Sequence, residues 1–192
     1  MNKKILKKTT LLLFLFSTLS HAKTVILIIA YRDYQPMEYS DTKRILEKNN
    51  IKVITSSTQL GMARTMGQFS AKVTKTIDSI TPDEYDGIFL IGGPGALTYL
   101  DNQTIYTIFK KAAEQNKLFG AICISPRILA KAGVLKSKKA TGWDEDNQLA
   151  SVFKKYGVTY DRKNVVIDDN IITATNPLAA KAFGNSIVKQ LQ

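Results

Sequence analysis

The chain has 192 residues, 44% of them hydrophobic and 22% charged, with 27 Lys+Arg against 16 Asp+Glu and a formal net charge of +11. That apolar share excludes a solvated, disordered chain, and the length favours one domain. One histidine and one cysteine exclude a disulfide framework and zinc sites built mainly from Cys and His.

Lys3, Lys4, Lys7 and Lys8 make a basic opening, an apolar run follows from Leu11 to Leu19, and Ser20-His21-Ala22 puts small residues before Lys23. This is the layout of a secretory signal peptide, so residues 1–22 are expected to be cut off after Ala22 and the chain exported, to a bacterial periplasm. The apolar stretch is nine residues, short of the roughly 20 that cross a bilayer, and no stable membrane span is expected. Without residues 1–22 the chain would carry a net charge of +7 and no imidazole. Ser-His-Asp and Cys-His machinery and histidine metal sites would then be unavailable. The basic residues are scattered in pairs such as Lys43-Arg44 and Lys138-Lys139, with no nucleic-acid-binding spacing. They read as solvated surface or, alternatively, as a weak affinity for anionic surfaces, and nucleic acid is not an expected partner.

Thr24–Ala30 is a continuous β-branched apolar run, the pattern of a strand covered on both faces. Helical spacing follows over Glu38–Asn49, then a short strand over Ile51–Ser56. Gln59 to Ala71 lacks periodicity and reads as irregular or as a small hairpin. Asp86–Ile91 is a third buried strand, ended by Gly92-Gly93-Pro94-Gly95. Helices are predicted over Thr104–Gln115, Ser125–Ala132, Glu145–Tyr156 and from about Pro177 to Leu191. Leu118–Ile122 is a fourth strand. Val165–Ile167 and Ile171–Ala174 flank a hairpin turn at Asp168-Asp169-Asn170.

This alternation predicts an α/β three-layer sandwich with a mostly parallel central sheet. Ligands of such sheets sit beyond the carboxyl ends of the strands. The loop before Glu38, the Gly92–Gly95 turn and Cys123 all fall there. Cys123 closes a buried strand, and Ser125-Pro126 supplies an N-cap and a first helical residue directly after it. The free amides of that helix would favour the thiolate, and the sharp strand-to-helix corner is that of a nucleophile elbow. On local pattern alone, a small buried hydrophobe is the competing role for Cys123, and a first-turn acid favoured by the helix dipole is the competing role for Glu38.

Ala121-Ile122-Cys123-Ile124-Ser125-Pro126 resembles the elbow of the ThiJ/PfpI superfamily, and Asp86 to Ala96 resembles that family's Gly-rich strand end, with Ile91 where proline is usual. Glu38, Ala132-Gly133-Val134-Leu135 and Thr141-Gly142-Trp143 extend the similarity over residues 23–192 as one ThiJ/PfpI-like domain. The resemblance implies a flavodoxin-like fold and a Cys123–Glu38 pair with Glu38 protonated against the sulfur. It also implies an oxyanion cradle from the backbone amides of Gly93 and Ile124, pocket positions at Gly92 and Trp143, and a homo-oligomer. No metal or cofactor is implied. The chain departs from the family pattern where histidines are usual, with Ile124 after the cysteine and Trp143 after the elbow. A cysteine peptidase needs a base for its nucleophile and an acid for the leaving amine, so that activity is rejected.

Three classes of function stay open. One is an enzyme of carbonyl or oxidative stress defence, in which Cys123 attacks a small reactive aldehyde with glyoxalase- or deglycase-like chemistry. Another is a non-catalytic redox sensor in which an oxidant converts Cys123 to a sulfinate. The third is a chaperone-like scaffold. A small-molecule electrophile or oxidant is the expected partner. Gly92-Gly93-Pro94-Gly95 lacks the Lys-Ser/Thr ending of a phosphate loop, and Asp144-Glu145-Asp146 lacks calcium-loop spacing.

Overall fold

The computed structural model describes residues 22–65 and 67–192. The leader expected over residues 1–22 lies outside them, apart from Ala22. Seven strands form one sheet: β1 (Thr24–Ile28), β2 (Lys52–Ser57), β5 (Lys75–Thr76), β6 (Gly87–Leu90), β7 (Leu118–Ile122), β10 (Val165–Asp168) and β11 (Ile171–Ala174). Across the sheet their order is β10-β11-β7-β6-β1-β2-β5. All neighbours run parallel except β10 and β11, which pair antiparallel across the predicted hairpin.

The helices are α1 (Pro36–Lys48), α2 (Pro94–Tyr99), α3 (Gln103–Glu114), α4 (Pro126–Lys131), α5 (Leu149–Lys155) and α6 (Ala180–Leu191). Two aromatic pairs show why they form two layers. Phe119 of β7 is paired with Ile88 of β6, one residue before Phe89, so Phe89 and Phe119 project from opposite faces. Phe89 meets Phe183 of α6 edge-on at 5.5 Å, whereas Phe119 meets Phe109 of α3 at 5.9 Å. Helices α1 and α6 pack together, and α4 packs with α3 and α5. The central strands β6 and β7 are buried along their whole length, as their unbroken apolar runs require.

Of the two readings of Gln59 to Ala71, the small hairpin is the one formed, β3 (Gly61–Arg64) against β4 (Ser70–Val73). Other expectations differ from the structure. Helix α5 starts at Leu149 rather than Glu145, because Asp144 and Asp146 turn their carboxylates back onto the amides of Leu149 and Gln148 at 2.7 and 3.1 Å. The acids build the turn before the helix instead of its first turn. Helix α2 and the short parallel pair β8 (Lys139–Ala140) and β9 (Thr159–Tyr160) carry no strong sequence period and were not anticipated. The last helix is preceded by a separate 3-10 turn over Pro177–Ala179.

Among the described residues no helix is long and apolar enough to cross a membrane.

Candidate active site

Three strand ends and the chain entering α1 meet at the carboxyl edge of the sheet. Gln35 donates its backbone N–H to the Gly92 carbonyl at 2.9 Å, and Gly95 donates to the Asp33 carbonyl at 3.0 Å. The loop before α1 is thereby stitched to the turn after β6. Gln35 also caps α1: its side-chain oxygen accepts from Met37 and Glu38 at 2.7 and 3.1 Å. That cap, with Pro36 at the first helical position, points Glu38 of the first turn inward, where it is fully buried.

Cys123 follows β7 with φ of 66°, a left-handed backbone that non-glycine residues rarely adopt. The conformation is held from three sides. Its N–H donates to Ala174 of β11 at 2.9 Å, its carbonyl accepts from Trp143 at 2.7 Å, and the Ser125 hydroxyl donates to Ile91 of β6 at 2.9 Å. The last contact corrects a sequence expectation: Ser125 does not cap α4 with its side chain but ties the elbow to the neighbouring strand. Strain of this kind, on the order of 1–3 kcal/mol, persists where the surroundings over-determine it.

The turn after β6 is packed rather than flexible. A Cβ on Gly92 would sit 2.5 Å from Cys123 Cβ and 2.8 Å from Glu38 Oε2. A Cβ on Gly93, whose φ is 110°, would sit 2.4 Å from the Gln35 nitrogen. Glycine at 92 lets the cysteine and the acid approach each other, and glycine at 93 lets the chain before α1 pack against the turn.

Glu38 Oε2 accepts from the Gly92 amide at 2.9 Å. The Cys123 thiol also influences the ionisation of Glu38, yet the contact falls short of a well-aligned hydrogen bond and leaves the buried Oε1 without a partner. Loss of water is the largest influence on the carboxyl, raising it from 4.5 to about 7 against the thiol and the Gly92 amide. Burial pushes the Cys123 thiol up as well, with the Glu38 charge and side chain adding to it, against the backbone amides of Ile124 and Gly93. The expectation that helix amides alone would favour a thiolate is therefore corrected: α4 is six residues long, and desolvation outweighs the two amides. Two anions this close repel, so the pair gives up one proton near neutrality and holds the second.

Cys123 is 8% exposed, and that exposure opens on a cavity of about 480 Å³. Gln35, Gly93, Pro94, Ile124, Trp143 and Pro177 contribute to its wall. Of the expected site residues, Cys123, Gly93, Ile124 and Trp143 line the cavity, while Glu38 and Gly92 lie behind the sulfur. Among the described residues no group of His, Cys, Asp and Glu is arranged to hold a metal ion.

Arg127 is a participant the sequence reading missed. It is buried on α4, donates two hydrogen bonds to the Asp146 carboxylate at 2.9 and 2.6 Å and one to the Trp143 carbonyl at 3.1 Å. Its guanidinium also lies over the Trp143 ring, 5.5 Å from the centroid. Hydrogen bonding from Arg127 holds the Asp146 carboxyl below the usual range. The cavity wall is thus clamped from beneath by the helix that begins at the elbow. Asn176 and Pro177 after β11 were also missed. Their signal was a capping residue and a proline directly after a buried strand, the same punctuation that marks Cys123.

The sequence pattern of the DJ-1/PfpI family matches residues 23–190. The chain belongs to that family. An uncharacterized protein of Methanocaldococcus jannaschii is 37% identical over 171 residues, covering 88% of this chain and 82% of that protein. The deglycase PfpI of Pyrococcus furiosus is 28% identical over 169 residues, covering 87% of this chain and 99% of that one. Among solved structures, a ThiJ/PfpI domain protein from Brachyspira murdochii superposes with a TM-score of 0.82 at 25% identity, over 88% of this chain and 95% of that chain. Drosophila melanogaster DJ-1beta shares the fold, with a TM-score of 0.77 at 24% identity over 89% and 91% of the two chains.

Proposed function

We propose that this protein is an exported member of its family in which Cys123 and Glu38 detoxify small reactive carbonyls. The observation that carries the reading is a strained cysteine opening on a cavity, with a buried carboxyl of near-neutral pKa behind it. A carboxyl near 7 is matched to giving and taking protons at working pH. The relative named a deglycase and the family itself point the same way.

With methylglyoxal, the Cys123 sulfur attacks the aldehyde carbon and an S–C bond forms as the carbonyl π pair moves to oxygen. In this reading the amides of Gly93 and Ile124, which act on the sulfur, stabilise that oxygen, and Glu38 supplies its proton. Glu38 then carries a proton from the former aldehyde carbon to the neighbouring carbon through an enediol. The aldehyde carbon is oxidised to a thioester while the ketone carbon is reduced to an alcohol. Water releases lactate and restores the thiol, so no external oxidant or reductant is consumed. His21 is the chain's one histidine, so after cleavage following Ala22 a single carboxyl would serve every transfer.

That last point favours a second reading, a redox sensor. Two equivalents of peroxide would take Cys123 to a sulfinate hydrogen-bonded by protonated Glu38, with no turnover and no need of a base. Export, periplasmic location and self-association belong to both readings. The test is incubation of purified protein with methylglyoxal. Lactate formation that is lost in Cys123→Ser supports the enzyme. No lactate, together with a mass gain of two oxygens under peroxide, replaces it with the sensor.

A further inference from the structure

The cavity over Cys123 is large for a three-carbon dicarbonyl. Its volume of about 480 Å³ is roughly sixteen times the ~30 Å³ that one water occupies in the liquid. Its walls are also less polar than the names of their residues suggest. Pro94, Ile124, Trp143 and Pro177 present apolar surface. The side-chain oxygen of Gln35 is committed to the amides of Met37 and Glu38, and that of Asn176 to the amide of Leu178 at 3.0 Å, which leaves their uncharged amide nitrogens as side-chain donors of the wall. Among the described residues no lysine or arginine lines the cavity, and the exposed Glu145 is the one ionisable wall residue besides Cys123. Arg127 cannot serve as a substrate cation, because it is buried beneath Trp143 and spent on Asp146.

We infer that the site takes uncharged electrophiles with an apolar or aromatic body larger than a methyl group, and that Trp143 is the residue that selects them. This rests on the reading of Cys123 as a reactive nucleophile. An anionic keto acid would find no counter-charge among the described wall residues and would meet the exposed Glu145. An aromatic body would exchange water for the indole and the two prolines.

The test uses three maleimides that share one reactive group and differ in the nitrogen substituent: ethyl, benzyl and carboxyethyl. The thiolate sulfur adds to the alkene, the π pair passes to the adjacent carbon, and that carbon takes a proton, with no leaving group or redox change. Cys123 is the only cysteine, so modification of the whole protein reports this site alone. Each rate is divided by that of N-acetylcysteine with the same reagent, and ratios between reagents cancel the thiol's own pKa. The expected benzyl-to-ethyl preference is about tenfold or more above solution, consistent with partial burial of a phenyl ring. The carboxyethyl reagent should fall about tenfold below it. Trp143→Ala should abolish the benzyl preference, and Glu145→Gln should relieve only the discrimination against the carboxylate. If Trp143→Ala does not fold, the wild-type ratios decide alone.

Ratios equal to those of N-acetylcysteine, or a carboxyethyl reagent that reacts fastest, would overturn the inference and leave the proposed function standing. Retained selectivity with no methylglyoxal turnover would remove the proposed function and leave the inference. Failure of all three reagents on the folded chain, with modification once it is unfolded, would end both.

Discussion

Adjacent central strands β6 and β7 both end in sharp turns into helices that begin with proline, yet they solve the turn differently. After β6 the left-handed residue is Gly93, at φ 110°. After β7 it is Cys123, at φ 66°. Glycine is the low-strain answer, since a side chain there crowds the next carbonyl. The first turn obeys local preference because only its backbone is needed, for its amides and for close approach. The second accepts strain because a side chain has to stand at the strand end. A departure from local rules beside a position that obeys them marks where function overrides stability.

The contrast can be broken most severely at Gly93. Alanine there would place a methyl group 2.4 Å from the Gln35 nitrogen, and we expect a loss of more than about 3 kcal/mol in chemical denaturation, or no soluble protein. Arg127→Met removes the clamp under the cavity wall and should cost about 1–3 kcal/mol, discounted because Asp146 can re-solvate. Trp143 is the sole tryptophan, so a red-shifted emission in the same variant would show that the wall itself has loosened.

The acid sharpens the comparison through pH. The folded carboxyl of Glu38 holds its proton more tightly than the unfolded one, with 4.5 raised to about 7. Its contribution is therefore most favourable below about 4.5 and is lost as pH rises through about 7. Wild type should lose stability relative to Glu38→Gln across that window, by up to about 1.4 kcal/mol per pH unit. A flat difference would mean that the carboxyl is not desolvated. The smallest expected effect concerns strain alone: Cys123→Gly should be more stable than Cys123→Ala by about 1 kcal/mol, the reverse of the usual order in regular structure.

The sheet was legible because buried parallel strands are continuous apolar runs, and Leu118–Ile122 and Ile171–Ala174 matched to the residue. The convergence of Cys123, Glu38 and the Gly92–Gly93 turn followed from each lying at the carboxyl end of a predicted parallel strand. Other features depended on tertiary contact that no local pattern carries. Ser125 looks like a cap but its hydroxyl bonds Ile91, 34 residues away. Arg127 reads as one more surface base until folding buries it against Asp146 and Trp143. The ionisation of Cys123 was misjudged for the same reason. A helix start is visible in sequence, whereas the depth of burial that opposes it is not.

The central claim is that Cys123 and Glu38 titrate as one unit and react once the first proton has left. The pH dependence of Cys123 alkylation tests it most directly. Reactivity in the wild type should rise with an apparent midpoint of about 7, the value to which Glu38 is raised. A midpoint at the free-cysteine value of roughly 8.5, unchanged by Glu38→Gln, would contradict the account.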